Sequence, residues 1–420
     1  MRGGFQQAYN NSGAIINKYS IGGKKNHSLW TDYFAKHAAG SGVIIPNIPS
    51  SQNRYLYVID MQNDFIDRNY SDGMGKFPVG EGTSVIPDIV KYIKPDIYTE
   101  IIFSRDYHPS EHCSFGIDSD VPLDTKGSFP RHCVQGTEGA QLINEIKDGF
   151  NNGWKDLDNV KVIFKGIKST ADSFSAMPFK KARQVSSGPF CSGCTDEVAC
   201  SNVTGGWYLT KDGSTYANET WDYNGAITYN ETVTANGYTP VKYTPNFPDG
   251  SVIEVCGLAG DYCVRDTAIA LGNTYPNCRI VVLNDLVRYP FLPMWLGCIM
   301  HTNTGSAPET HLEHLEYFLN TEADKGFNYY LFNGDKLMKP SEISMAFPDV
   351  ETLKARIGSD VPNYGGGVLN HFLSDPRDII KDYTAANVKM LLASPQAGGK
   401  RKSTRKRKNR KSKKTRKGRK

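Results

Sequence analysis

A cysteine at the start of a predicted helix is the first candidate for chemistry in this sequence. The segment SVIEVCG, residues 251–257, is apolar and β-branched, which predicts a buried parallel strand. Apolar residues at helical spacing follow as far as Gly272, so that Cys263 falls in the first helical turn. Backbone N–H groups and the helix dipole stabilise an anion there, which favours a thiolate nucleophile. The alternative is that Cys263 is a small core residue.

Two histidines and a carboxylate form a candidate metal site. Asp106 and His108 follow a short apolar strand, and residues two apart in an extended chain point to the same side. His132, in the later segment SFPRHCVQGTEGA, could supply the third ligand. One carboxylate with two imidazoles leaves coordination positions open for water or substrate, as a catalytic site requires. His112 and Ser114 are candidates for outer contacts, and each histidine alone could instead be structural.

Two further polar residues come at the ends of predicted strands. Asp60 follows the apolar strand 55–59, and Lys165 ends the β-branched run KVIFK. Ligands of open α/β sheets bind outside the carboxyl ends of the strands, so both residues could meet Cys263 at one edge of a sheet. A lysine there would favour a thiolate and keep the carboxylate charged. Taken singly, an aspartate after a strand is commonly a helix cap, and a lysine is commonly solvated.

Strand-like and helix-like segments alternate along the chain. The alternation predicts an α/β fold, a doubly wound three-layer sandwich around a mostly parallel five- or six-stranded sheet. The later predicted strands are CRIVVLNDLV at 278–287 and FNYYLF at 327–332. Further helical patterns lie at 28–39, 311–320 and 349–358.

Composition divides the chain into four parts. We expect an N-terminal extension, a main α/β domain, a C-terminal extension and a disordered basic tail, at residues 1–52, 53–335, 336–398 and 399–420.

The main domain contains a segment of different composition, at about 180–250. It is rich in Gly, Thr, Tyr and Asn, with turn signals that predict a β-rich insertion of short hairpins. Its cysteines are Cys191, Cys194 and Cys200. Because no second Cys-x-x-Cys or histidine pair follows at a suitable spacing, we expect unlinked thiols, with a small metal knot as the alternative.

Charge is distributed unevenly between the tail and the rest of the chain. Residues 400–420 contain 15 Lys or Arg and no acidic residue, whereas residues 1–399 contain 34 basic and 44 acidic residues. Such a tail predicts attraction to nucleic acid or another polyanion, or direction to the nucleus; a solubilising tail without a partner is the alternative. No segment is apolar enough for a membrane span or a secretory signal, so we expect an intracellular protein, cytoplasmic or nuclear.

Five motifs together resemble those of the isochorismatase-like cysteine hydrolases, and within that family the nicotinamidases. In the family's order they are VIDMQNDF, SRDYHPSEHCSF, FPRHCVQGTEGA, FKG with DSFSAM, and GLAGDYCVRDTA. The resemblance covers roughly residues 53–335 without the insertion. Isochorismatases themselves lack the nucleophilic cysteine and many relatives lack the metal residues, whereas this sequence contains both.

The resemblance implies a role for each matched polar residue. The residues implied as the catalytic triad are Asp60, Lys165 and Cys263. The residues implied as ligands of one divalent metal ion, zinc or alternatively iron or manganese, are Asp106, His108 and His132.

The resemblance also implies the surroundings of the reacting group. A cis peptide bond between Leu258 and Ala259 would make the amides of Ala259 and Cys263 an oxyanion hole. The aromatic residues implied as a substrate clamp are Phe65, Phe129 and Phe174. The family commonly has tryptophan at the second of these positions and often tyrosine near the third.

These roles together imply hydrolysis of a linear carboxamide. The implied reaction converts nicotinamide, or a similar aromatic amide, to its acid and ammonia through a thioester on Cys263, within NAD salvage. Asp60 would take the thiol proton, and the metal would orient the ring through the pyridine nitrogen. Two alternatives are another cysteine amidohydrolase with a different amide substrate and a scaffold tethered to polyanions by the basic tail.

Overall fold

The computed structural model of the protein describes the parts of the chain that form a central sheet and its covering helices. The described residues are Phe34, Ala38, 52–66, 68–71, 73–77, 79, 82–115, 131–178, 202–211, 222, 237–289, 331–333, 336–338 and 376–393. Phe129, the three cysteines of the insertion, the predicted helices at 311–320 and 349–358, and the basic tail lie outside these residues, as does most of 28–39.

Strands are the main element of the described residues. In chain order they are β1 (Arg54–Ile59), β2 (Asn69–Tyr70), β3 (Gly73–Met74), β4 (Glu100–Asp106), β5 (Val160–Lys165), β6 (Trp207–Lys211), β7 (Tyr238–Lys242), β8 (Val252–Gly257), β9 (Arg279–Val287), β10 (Leu331–Asn333), β11 (Lys336–Met338) and β12 (Val388–Leu391). The α-helices are α1 (Gly82–Tyr92), α2 (Asn144–Asn151), α3 (Cys263–Thr274) and α4 (Pro376–Ala385). Short 3-10 helices span Asn63–Phe65, Glu138–Ala140 and Trp154–Asp156. No described helix has the length and apolar character needed to cross a membrane.

Eight strands form one sheet in the order β12-β9-β8-β1-β4-β5-β6-β7. The six from β12 to β5 are parallel, as the sequence predicts, and β6 and β7 add an antiparallel pair at one side. From β1 the chain proceeds to β4 and β5 on one side, and the later strands β8, β9 and β12 lie on the other. The strand order thus reverses beside β1, and α/β proteins bind their ligands at the carboxyl ends of the strands at such a point.

Both faces of the sheet are buried, because the central strands carry apolar side chains in both directions. Along β1, Leu56 and Val58 face a core shared with α1 and α2. Tyr57 and Ile59 face the opposite core, shared with α3 and α4. Phe34, from the N-terminal extension, is also fully buried in this second core. The structure is therefore the predicted three-layer sandwich.

The prediction that FNYYLF forms the last strand of the main sheet is wrong. The described part of FNYYLF belongs to β10, which pairs with β11 in a separate two-stranded sheet. The edge strand is instead β12, from the predicted C-terminal extension, and it runs parallel to β9. Its four residues include the exposed Lys389, so the segment is too short and too mixed to give a strand pattern. Helix α4 packs on α3, where Arg265 pairs with Asp382.

Gly257 ends β8 at a point where the structure has no room for a side chain. Its φ is +111°, and a Cβ there would lie 2.1 Å from the Ile59 carbonyl oxygen. We therefore expect Gly257→Ala to lower the free energy of unfolding by about 3–5 kcal/mol, measured by urea denaturation.

Gly250→Ala is the matched control for this substitution. Gly250 also has a positive φ, +78°, but a Cβ there would meet no atom within 4 Å. This variant should lose only about 1–2 kcal/mol. Equal losses for the two variants would contradict the close approach at Gly257.

Candidate active site and metal centre

The ends of three parallel strands and the start of one helix meet at a single buried cluster. Asp60 directly follows β1, while Asp106 and Lys165 are the last residues of β4 and β5 and pair in register. Cys263 is the first residue of α3. All four side chains are buried. The sequence places each residue at the end of an element, and the parallel register brings those ends together.

Lys165 is the centre of this cluster. Its Nζ lies 2.7 Å from Asp60 Oδ2, 2.7 Å from Asp106 Oδ1 and 3.4 Å from Cys263 Sγ. Burial lowers the pKa of the lysine, but the two carboxylates and the thiol together raise that pKa well above its usual value. Lys165 is therefore a buried ammonium ion.

Asp60 is fixed by a neighbour that the sequence analysis missed. The Ser104 hydroxyl donates to Asp60 Oδ1 at 2.7 Å, and the Asp60 amide lies 3.2 Å from the Ser104 Oγ. One carboxylate oxygen thus faces Ser104 and the other faces Lys165. Burial raises the pKa of Asp60, although Lys165 and the Ser104 hydrogen bond act to lower it.

Burial opposes the thiolate that the position of Cys263 at the helix start favours. Burial raises the pKa of the thiol well above its usual value, and the opposing effect of Lys165 is smaller. Asp60 and Asp106 raise it further, because negative charges disfavour a second anion beside them. The thiol lies next to a carboxylate whose own pKa is also raised.

Asp106 also contacts the two histidines of the predicted metal site. Its Oδ2 lies 3.3 Å from His108 Nε2 and 3.8 Å from His132 Nε2. Burial opposes ionisation of Asp106, but His108 and Lys165 hold its pKa well below the usual range. A carboxylate oxygen and two imidazole nitrogens, with ligand atoms within 4.8 Å of one another, suit a divalent metal ion such as zinc.

The orientation of His108 suits metal binding. Its Nδ1 lies 3.0 Å from the Gly166 carbonyl oxygen, which can only accept a hydrogen bond. Nδ1 therefore carries a proton, and Nε2 is the nitrogen that faces Asp106. Gly166 has a φ of +63°, and a Cβ there would lie 2.4 Å from the imidazole Cε1, so this contact requires glycine.

Two other groups of potential ligands fit a metal less well. One group comprises His108, His112 and Asp172. The His112 ring lies tilted against His108, with ring centroids 4.0 Å apart, but both of its nitrogens are engaged, one with Ser114 Oγ and one with the Ala171 carbonyl. His112 and Ser114 thus lie in the outer positions predicted for them. The other group comprises Asp60, Asp106 and Cys263. The Lys165 ammonium already contacts all three residues, so its positive charge stands where a metal ion would have to bind.

Gln62 and Asp64 hold the metal residues in place through backbone groups. The side-chain Nε2 of Gln62 donates to the backbone carbonyl of Asp106 at 2.7 Å, and its Oε1 accepts from the backbone N–H of Asp106 at 2.7 Å. Asp64 accepts from the Cys133 amide, next to His132, at 2.7 Å. Both residues lie in the VIDMQNDF motif, but their partners are distant backbone groups that no sequence spacing indicates.

Aromatic rings stand on both sides of the cluster. Phe65 and Phe77 lie 5.4 Å and 5.0 Å from the His132 ring, between centroids, and Phe174 lies 5.5 Å from Tyr262. Two of the three predicted clamp residues therefore border the site. Phe77 was not predicted, because it lies in an irregular segment without periodicity.

The turn before α3 has the predicted backbone. The peptide bond between Leu258 and Ala259 is cis, which confirms that expectation. The amides of Tyr262 and Val264 both donate to the Ala259 carbonyl at 3.1 Å and close the turn in front of the thiol.

Comparison of the sequence with curated proteins finds nicotinamidases. No family model matches the chain. It is 30% identical over 141 residues to a nicotinamidase of Saccharomyces cerevisiae, which covers 29% of this chain and 60% of that protein. It is 34% identical over 145 residues to a nicotinamidase of Escherichia coli, covering 32% and 61% respectively. The chain thus spans about three fifths of the length of these curated relatives.

A crystal structure of the pyrazinamidase of Pyrococcus horikoshii in complex with zinc also matches. It has 21% sequence identity and a TM-score of 0.32, and the match covers 63% of this chain and 96% of that one.

The metal content of two variants distinguishes the two groups of ligands that include Asp106. His132→Ala should weaken divalent metal binding by more than about a hundredfold, because it removes a ligand. Cys263→Ala should retain the metal, because Lys165 separates the thiol from that position. Metal content per chain after dialysis, measured by mass spectrometry, checks both. Loss from the cysteine variant with retention in the histidine variant would place the metal at the thiol.

Proposed function

We propose that this chain is a member of the isochorismatase-like superfamily and a cysteine amidohydrolase that converts nicotinamide and water to nicotinate and ammonia. The observation that carries the proposal is the buried ammonium of Lys165, which contacts a thiol and two carboxylates. The Asp60 carboxylate lies beside the thiol, and the Asp106 carboxylate faces two imidazoles. Such an arrangement supplies a nucleophile, a proton acceptor and a separate site for orienting a ring. Similarity to curated nicotinamidases favours nicotinamide among aromatic amides.

The first chemical step is formation of the thioester. Asp60 takes the proton of the neutral Cys263 thiol, and Lys165 stabilises the thiolate as it forms. The sulfur attacks the carboxamide carbon, and the amides of Ala259 and Cys263 donate to the developing oxyanion. Asp60 then returns the proton to the leaving nitrogen as the C–N bond breaks. Ammonia leaves, and the acyl group remains on sulfur.

The second step is hydrolysis of the thioester. Asp60 takes a proton from a water molecule, which attacks the thioester carbon. The C–S bond breaks, and the sulfur recovers the proton from Asp60. Nicotinic acid leaves and ionises to nicotinate, giving its proton to the released ammonia in solution. The neutral thiol is restored, so that each turnover consumes one amide and one water.

Asp106, His108 and His132 are the residues that would hold a divalent metal ion, with zinc as the first choice and iron or manganese as alternatives. When bound, the metal would supply a Lewis-acid contact for the pyridine nitrogen of the substrate. Phe65 and Phe77 would border the ring beside His132. The activity would return nicotinamide to NAD synthesis as nicotinate.

The nucleophile is tested by comparing two buried cysteines. Cys263→Ala should lower kcat for nicotinamide by about 10⁴-fold or more, because no other group can form the acyl intermediate. Ammonia release from nicotinamide measures this rate. Cys256→Ala, in β8, is the matched control and should retain most of the activity, since its sulfur contacts only a backbone carbonyl among the hydrogen bonds described. Equal rates for wild type and Cys263→Ala would refute the assignment.

The position of Asp60 is tested at Ser104. Ser104→Ala removes a hydrogen bond to a carboxylate, and we expect kcat to fall by about tenfold to a hundredfold with little change in KM. Ser104→Thr keeps the hydroxyl and should restore most of kcat. If both variants lose activity equally, the hydroxyl is not the group that matters.

A further inference from the structure

Phe174 is the one partly exposed side chain of the loop 171–177. The other residues of this loop are at most 6% exposed, so its backbone is enclosed by the surrounding structure. The Phe174 ring contacts Tyr262, the residue before Cys263, at 5.5 Å between centroids. The position of the loop therefore decides where this ring stands relative to the thiol.

One side of the loop is attached to the helix that carries the thiol. The Ala176 amide donates to Thr267 Oγ1 at 2.9 Å. Thr267 lies one helical turn after Cys263 on α3 and is fully buried. This bond sets the distance of the loop from the helix.

The other side is attached to residues 203–206, which we call the strap. The Gly205 amide donates to Ser173 Oγ at 2.7 Å, and the Gly206 amide donates to the Ala176 carbonyl at 2.9 Å. Ser173 Oγ in turn donates to the Ser175 carbonyl at 3.0 Å. The strap thus bonds to Ser173 and Ala176, the residues on either side of the short segment that contains Phe174.

The approach of strap and loop requires glycine at two positions. Gly205 has a φ of +85°, and a Cβ there would lie 2.5 Å from the Pro178 backbone nitrogen. A Cβ on Gly206 would lie 2.5 Å from the Cδ1 atom of Ile163. The pair Gly205-Gly206 therefore permits a backbone contact that larger residues would push apart.

The strap is itself fixed to the main sheet. It leads directly into β6, where Trp207 pairs with Phe164, the neighbour of Lys165. From β7, the Lys242 ammonium donates to the Thr204 carbonyl and lies 4.4 Å from the centroid of the Trp207 ring. These contacts fix the strap, and through it the loop, relative to the sheet.

We propose that the strap is a specificity-determining element, which fixes Phe174 and thereby sets the width of the slot that accepts the aromatic ring of the amide. This inference rests on the proposed function. The strap lies in the predicted insertion, outside the motifs that resemble the family. Ring selection in this chain is thus controlled in part by a segment that the family motifs do not contain.

Two substitutions test the strap in the full-length protein. Gly205→Ala displaces the strap, and Ser173→Ala removes the group that the Gly205 amide contacts. Each should raise KM for nicotinamide about fivefold, with kcat within about twofold of wild type, because ring binding and not the chemical step is altered. The Kd for nicotinate, measured by titration calorimetry, should rise by the same factor.

Gly237→Ala is the matched control. Gly237 directly precedes β7, at the end of the β6–β7 pair that is remote from the strap, and has a similar φ of +83°. The atom nearest to a Cβ there would be 3.7 Å away, on Lys211. This variant should keep the wild-type KM and Kd.

Each outcome decides the proposal. Wild-type KM and Kd in both test variants, or a fall in kcat at constant KM, would overturn the role of the strap. If Gly205→Ala does not fold, Ser173→Ala decides alone. If the wild type does not hydrolyse nicotinamide, the proposed function is refuted. The role of the strap is judged separately, from the ratio of each variant's KM and Kd to the wild-type values.

Discussion

The site depends on one buried ammonium ion held between two carboxylates. An unpaired charge of this kind would cost several kcal/mol, so Lys165 is stable in the interior only while Asp60 and Asp106 both face it. Each carboxylate divides its oxygens between two tasks. Asp60 presents one oxygen to Lys165 and the other to Ser104, and Asp106 presents one to Lys165 and the other to the imidazoles. The ends of β1, β4 and β5 must therefore stay aligned, because both the thiol side and the imidazole side of the site depend on contacts with Lys165.

The same ammonium explains how a thiol and a metal position can be neighbours. Thiols bind zinc strongly once they ionise, and Cys263 shares a group of potential ligand atoms with Asp106. Lys165 stands between them, and burial raises the pKa of the thiol, so both effects disfavour the sulfur as a ligand. In the proposed reaction the sulfur stays available as the nucleophile, and the imidazoles are the better metal donors. The proposal thus assigns positioning and nucleophilic attack to separate groups that lie close together.

Sequence patterns predicted the parts of the fold and site that depend on local order. Asp60, Asp106, Lys165 and Cys263 each lie at the end of a strand or helix whose apolar pattern is clear, so their meeting followed from a parallel sheet. Ser104, Gln62 and Asp64 were missed because they act through contacts with residues far away in the chain. The raised pKa of Cys263 depends on how completely the surrounding chain excludes water, which no short segment shows. The edge strand β12 was missed because four residues are too few to show a period.

The hairpin of β6 and β7 has a consequence for the surface of the sheet. Without it, β5 would be the outer strand, and the unpaired backbone groups beside Lys165 could pair with an extended segment of another chain. In the described structure the outer strand is β7, two strands further away, and it carries Pro240 and Lys242. Proline lacks a backbone donor, which limits pairing along an outer strand. The hairpin thus separates the strand of Lys165 from the edge of the sheet.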